Sequence, residues 1–310
     1  MTHIHFAPLQ GYTDQVYRDA HARVFGGVEA YYTPFVRVEK GEVRKKDLKD
    51  IRRPSDSKAH VIPQLIASCP DEFRLIMDEI EANGYQEVDI NLGCPFPKQV
   101  RLHRGSGILP FTDEAELLLR TLEEFPEISF SVKMRLGWEQ ADEAFALLPL
   151  LNTLPLKQIA LHPRLGKQQY KGEVDWDAFA RFYESCEVPL FYNGDLTTLE
   201  SMRSVETRFP KLAGIMLGRG LLAAPWLAEE YQTGETLTER ERLHKVHEFH
   251  SLLLENYSER LEGGEHQVLD KLKTLWDYLL PDADKKLRKK ILKSTTLTSY
   301  RSAVSALLNP

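Results

Sequence analysis

The chain has 310 residues, 42% of them hydrophobic and 28% charged, with three cysteines and a formal net charge of −6. These proportions belong to an ordinary folded protein. They exclude a disordered chain, which has too little apolar surface to offset its entropy, and a disulfide scaffold. Cys69, Cys94 and Cys186 lie far apart with no C-x-x-C pair, and no carboxylate cluster stands out, so no metal is expected. Reduced thiols fit a cytoplasmic location. The start, MTHIHFAPLQG, lacks a basic region followed by an apolar core, so no targeting segment is expected. The apolar stretch 144–156 is shorter than the roughly 20 residues of a spanning helix, which argues against a membrane.

In chain order, eight short β-rich runs recur, at 4–9, 30–36, 61–67, 88–93, 130–137, 158–164, 189–195 and 214–220. They are nearly continuous in apolar residues, as parallel strands are when helices cover one side and a packed interior the other. Helical stretches are expected between them at 14–24, 71–83, 113–124, 141–151, 176–186 and 199–209, several opened by Thr, Asp or Pro. The polar crossover 39–58 is the weakest helix. Eight β-α units over about 230 residues predict a (β/α)₈ TIM barrel. An open doubly wound sheet is the competitor, but no G-x-G-x-x-G follows the first strand. After Leu221 the spacing turns helical, and Gly263-Gly264 and Pro281 divide the tail into about three helices. The expected division is a catalytic barrel over 1–235 and a small all-helical C-terminal domain over 236–310.

Two tracts are basic. Residues 285–301 hold seven basic residues and no acid, and residues 37–58 hold nine basic and five acidic residues. Either alone reads as a solvated face; together they admit a polyanionic partner, although the net charge weighs mildly against one.

The active site of such a barrel lies at the carboxyl ends of its strands. The polar residues there are Gln64 on the third strand, Asn91 and Cys94 after the fourth, Lys133 and Arg135 on the fifth, and His162 and Arg164 on the sixth. The seventh and eighth end in the glycine turns Asn193-Gly194-Asp195 and Gly218-Arg219-Gly220. Those two turns occupy the usual phosphate corner of a barrel, where backbone amides and Arg219 could hold a phosphorylated cofactor. Lys133 in mid-strand is either a lysine snorkelling past the strand end or the partner of a group that gains negative charge. Cys94 sits on a loop at an active strand end; an unperturbed thiol, with a pKa of roughly 8.5, keeps its proton at neutral pH and can serve as a general acid.

The segments APLQGYTD (7–14), FVRV (35–38), PQL (63–65), DINLGCPFPKQV (89–100), SVKMRLGW (131–138), LHPRLGKQQYKGEVDW (161–176), YNGDL (192–196) and GRGLLAAPW (218–226), in this order, resemble the tRNA-dihydrouridine synthases. The resemblance covers nearly the whole chain. It implies FMN in the barrel, NADPH as reductant and tRNA as partner, gripped with the help of the helical domain. It implies hydride transfer from the flavin to C6 of a uridine and proton transfer from Cys94 to C5. Ala7, Pro8, Leu9, Gln64, Lys133, His162, Asn193, Gly194, Asp195, Gly218 and Arg219 would contact the cofactor, and Asn91 and Arg164 the uracil. Arg37, Lys271, Lys273, Lys286, Lys289 and Lys290 would contact tRNA. A monomer is expected.

FVRV with Arg37, VKMRLGW, and Lys271-Leu272-Lys273 near Tyr278 look most like the synthases acting at position 16 of the D-loop. Leu9, Pro163 and Leu165 depart from the family's usual Met, Gly and Thr, and RLHRGSGILPF (101–111) replaces its usual Gly/Ala-rich run. That altered segment motivates one alternative, a tRNA-binding relative without activity. The other alternative is an FMN barrel acting on a small pyrimidine, which would have no use for the basic tail.

Overall fold

The computed structural model describes residues 2–52 and 57–308. Nine strands form one parallel sheet: β1 (His3–Phe6), β2 (Ala30–Tyr32), β5 (Val61–Ile62), β6 (Gln64–Leu65), β7 (Glu87–Leu92), β8 (Ser129–Gly137), β9 (Leu156–Leu165), β10 (Leu190–Tyr192) and β11 (Gly214–Leu217). A separate antiparallel pair is β3 (Val38–Glu39) with β4 (Glu42–Val43). The large sheet runs β5-β2-β1-β11-β10-β9-β8-β7-β6. Its two ends, β5 and β6, are separated in sequence by Pro63 alone, so the sheet curls into a barrel with a seam one residue wide. Proline has no N–H to give a ladder, and this divides the third expected strand in two. Its carbonyl still accepts from Asp89 N at 2.9 Å beside the β6–β7 ladder, and a parallel bridge from Val36 to Leu65 links the chain after β2 to β6. The eight expected strand positions are all present.

The six expected crossover helices are present as Gln15–Val24, Pro70–Ala82, Thr112–Arg120 with a further turn Thr121–Glu124, Asp142–Thr153, Trp176–Ser185 and Leu199–Arg208. Asp14, Asp175 and Thr198 cap three of them by accepting backbone N–H groups. The polar crossover after β2 differs from expectation. Lys40 and Gly41 both take positive φ, 56° and 82°, the geometry of a tight hairpin turn, so β3 and β4 pair and only one helical turn, Lys45–Leu48, follows. Residues 53–56 of that stretch lie outside the described residues.

The tail holds four helices rather than three: Glu239–Arg260, Gly264–Leu275, Lys285–Lys293 and Leu297–Leu308. The basic tract is broken at Ser294, and Thr296 Oγ1 accepts from Ser299 N at 3.2 Å to start the last helix. These helices pack on the first barrel helix, Phe249 edge-on to Tyr17, in a core continuous with the layer between strands and helices. Asp14 also receives Tyr257 Oη at 2.9 Å and the Lys271 ammonium at 2.8 Å. A second, smaller apolar cluster fills the barrel interior, including Tyr32, Phe191 and Met216. No described helix is long and apolar enough to cross a membrane.

Candidate active site

The carboxyl ends of the strands surround a cavity of about 450 Å³ lined by Gln64, Asn91, Cys94, Lys133, Arg135 and His162, with aromatic walls from Tyr12, Phe35, Phe96, Tyr170 and Tyr278. A niche of about 60 Å³ adjoins it and shares Pro8, Leu9, Lys133, His162 and Tyr170. Ten of the eleven residues expected at the cofactor line this niche, namely Ala7, Pro8, Leu9, Lys133, His162, Asn193, Gly194, Asp195, Gly218 and Arg219; the eleventh, Gln64, lines the larger cavity.

Period-two alternation sends Lys133 and Arg135 of β8 to the same face. The Lys133 ammonium makes no hydrogen bond to another described residue, and burial, aided by Arg135, brings its pKa down to about 8. Burial likewise lowers Arg135, to about 10; its Nη1 donates to Leu165 O at 2.9 Å and its guanidinium lies 5.4 Å from the Tyr170 ring centre. Burial among these cations holds His162 neutral, well below the usual histidine range. A desolvated ammonium without a partner is costly, and this one faces both chambers.

The cysteine loop is held from two sides. Asn91 Oδ1 accepts the N–H groups of Gly93 at 3.0 Å and Cys94 at 2.8 Å, while Asn91 Nδ2 donates to Gln64 Oε1 at 2.7 Å. From the other side, Ser106 donates to Cys94 O through N at 3.1 Å and through Oγ at 3.0 Å. Gly105 has φ of +61°, and a Cβ there would lie 2.7 Å from Cys94 O. Only glycine lets the chain pass so close with that backbone. The unusual 101–111 segment is therefore packed against the cysteine. It is anchored by Arg104, which pairs with Glu72 and donates to Val38 O at 3.0 Å. Burial pushes the Cys94 thiol up, so it holds its proton. Cys69, Cys94 and Cys186 are all free thiols.

Other expected site residues are engaged within the protein. Arg164 does not line either chamber: it pairs through both terminal nitrogens with Asp195, donates to Gly172 O at 2.7 Å, and meets His162 Nε2 at 3.3 Å. Asp195 also accepts from Arg219 at 2.8 Å, and the two guanidiniums hold its carboxyl below its ordinary range. Asn193 Nδ2 donates to Met216 O at 2.6 Å. Lys271 is bound to Asp14 and to Gly11 O at 2.8 Å, and Arg37 is mostly buried, 3.8 Å from Asp47. Lys273 is partly exposed, whereas Lys286, Lys289 and Lys290 are fully on the surface.

The sequence reading left Arg135, Tyr170, Phe96, Tyr12 and Tyr278 without a role. Alternation in VKMR places Arg135 on the face of Lys133, and Tyr170 stands inside the segment LHPRLGKQQYKGEVDW. Tyr278, which the sequence marks only as a neighbour of the Lys271-Leu272-Lys273 segment, packs edge-on against Tyr12, 5.2 Å between ring centres, and closes the cavity from the helical tail.

A parallel barrel with lysine, arginine and a protonated thiol converging at the carboxyl ends of its strands has the layout of a (β/α)₈ enzyme site. Residues 5–307 match the profile described as "Dihydrouridine synthase (Dus)", and the chain belongs to that family of oxidoreductases. It is 29% identical over 269 residues to a probable tRNA-dihydrouridine synthase of Rickettsia conorii, covering 83% of this chain and 80% of that one. It is 31% identical over 242 residues to a tRNA-dihydrouridine(16) synthase of Aquipseudomonas alcaligenes, covering 73% and 74%. Against tRNA-dihydrouridine synthase B of Pasteurella multocida the identity is 26%, over 77% and 71%. Among solved structures, morphinone reductase superposes with a TM-score of 0.55 at 12% identity, covering 77% of this chain and 87% of that one. The old yellow enzyme from Trypanosoma cruzi superposes at 0.53 and 11%, covering 77% and 90%. These two share the barrel fold.

Proposed function

We propose that this protein is an FMN-dependent tRNA-dihydrouridine synthase that uses NADPH to reduce a D-loop uridine of tRNA, working as a cytoplasmic monomer. The observation that carries the reading is one cavity in which a protonated thiol, Cys94, and an ammonium without a hydrogen bond to any described residue, Lys133, both face the space a ring system would fill. The niche residues and Gln64 would hold a flavin and its phosphate: Lys133 would answer negative charge, and the glycine turns at Gly194 and Gly218, with Arg219, would receive the phosphate. FMN supplies, when bound, the hydride for C6 of the uracil ring.

The remaining steps belong to the chain. The target uridine leaves its stack to enter the cavity, as bases must for chemistry on the ring. The aromatic walls replace that stacking and exclude water. Cys94 gives its proton to C5. Asn91, with one amide hydrogen left uncommitted, and Arg135, on the cavity wall, orient the uracil; Arg164 acts behind them by holding Asp195 and meeting His162. Residues 1–235 carry the cofactor, and residues 236–310 present Lys273, Lys286, Lys289 and Lys290 to the RNA. The likeness to (16) synthases, together with FVRV, supports position 16 as the target.

The test is to purify the protein and follow NADPH oxidation with folded tRNA and with free uridine, reading dihydrouridine by mass spectrometry. Turnover with tRNA only is expected. Turnover of the free nucleoside alone, or a colourless preparation that takes up no FMN, would overturn the reading. Cys94→Ala is expected to keep flavin and RNA binding while lowering dihydrouridine formation about 100-fold or more, the usual scale of a lost general acid.

A further inference from the structure

Asp89 sits on β7 two residues before Asn91, buried inside the barrel and outside the lining of the cavity. Its Oδ2 accepts from Gln64 Nε2 at 2.6 Å and its Oδ1 from Ser131 Oγ at 2.6 Å. From there the bonds run on through Gln64 Oε1 to Asn91 Nδ2, and through Asn91 Oδ1 to the amides of Gly93 and Cys94. An ionised carboxylate only accepts and a backbone N–H only donates. Both ends of this chain therefore impose one direction on the two amides between them. We propose that Asp89 is a positioning residue for the reaction: it sets the direction of the Gln64 and Asn91 amides, and through them holds the cysteine loop in place, without touching the substrate. The inference rests on the reading of Cys94 as the proton donor.

The argument is one of satisfiability. Gln64 is fully buried. Without an acceptor at position 89 its NH₂ group is stranded, a costly state for a buried donor. Turning the amide over points that NH₂ group at Asn91 Nδ2. Turning Asn91 as well points its NH₂ group at two backbone N–H donors. No arrangement satisfies every donor, so the loop loses its cap. Asparagine at 89 escapes this frustration: its oxygen accepts from Gln64, and its NH₂ group donates to Ser131, whose hydroxyl also meets Tyr32. Leucine, of nearly the same size, offers no acceptor.

The test compares Asp89→Leu with Asp89→Asn. Two readouts are used: iodoacetamide alkylation of Cys94, followed on its peptide by mass spectrometry, and kcat against KM for tRNA. In Asp89→Leu the thiol is expected to alkylate about tenfold faster and kcat to fall about tenfold, as loss of a buried hydrogen-bond partner implies, with KM nearly unchanged. Asp89→Asn is expected to stay close to wild type in alkylation and to keep a kcat well above that of Asp89→Leu; both variants lose the attraction of Asp89 for Lys133 equally, so the difference between them reports the amide order. A Leu variant that behaves like wild type, or an Asn variant as impaired as Leu, overturns the proposal. Should the Leu variant not fold, Gln64→Glu supplies the second test. Alone it sets two carboxylates together and loosens the loop; with Asp89→Asn added, the donor–acceptor order is restored and the alkylation rate should return. No return overturns the proposal. Alkylation reports on the loop whether or not tRNA is reduced, so failure of the functional reading is seen separately, as absent dihydrouridine in the wild type.

Discussion

A buried ammonium that makes no hydrogen bond to a described residue is a cost that the fold bears for a purpose, and Lys133, with the charge of Asp89 as a partial offset, shows where that cost falls. Its pKa, lowered from 10.5 to about 8 by burial and Arg135, means that the charge is present below pH 8 and lost above it. Affinity of the flavin-free protein for FMN should therefore fall as pH rises through about 8. Lys133→Arg, which keeps its charge, should remove that fall; fluorescence titration at pH 7 and pH 9 measures it. At this scale the sequence was most readable where strand alternation applied. Lys133 is two residues from Arg135, and the barrel rule put both at the mouth. It was least readable where a partner decides the role. Lys271 displays a charge in the sequence, but only the folded chain shows that charge committed to Asp14. Asp89, likewise, is one acid among many until Gln64 and Ser131 are seen to donate to it.

Among the elements, the helix Lys285–Lys293 separates its duties by face. Ile291 is buried, and Arg288 donates to the carbonyls of Leu280 and Trp276. Lys286, Lys289 and Lys290 stay exposed. Reversing those three charges should weaken tRNA binding and flatten its dependence on log salt by about 2–3 units, at 0.7–0.9 per phosphate contact. Filter binding between low and physiological salt measures the slope, and an unchanged slope would return the lysines to mere solubility. Apolar runs bounded by turn residues made the eight strand positions and six crossover helices legible. Three features were not. The hairpin after β2 depends on two positive φ angles at Lys40 and Gly41, the last helix on a threonine cap inside a basic run, and the split strand on which residue of 61–67 meets the seam.

For the whole molecule, acid is the sensitive direction. Burial holds His5 at about 4, His21 at about 3 and His250 at about 4, and keeps His162 low as well. Each stays neutral in the fold and takes up a proton on unfolding once the pH is below about 6.5. Asp50 and Asp89, raised by burial to about 6, oppose this, because the fold binds their protons first. The lowered carboxyls of Glu87, Glu29 and Asp195 act with the histidines and outweigh the raised Asp47 and His60, so the chain takes up protons on unfolding in acid and stability falls as pH falls. The urea midpoint should drop markedly from pH 7 to pH 5; a flat response would contradict the neutral, buried histidines. Tyr278 carries a different consequence. A side chain from the tail forms one wall of the cavity and is braced on Tyr12, so the shape of that cavity depends on both parts of the chain. On the proposed function, the span from Cys94 to the lysine-bearing helix would act as a fixed caliper, and the choice of nucleotide would be a matter of measured length as much as of chemistry.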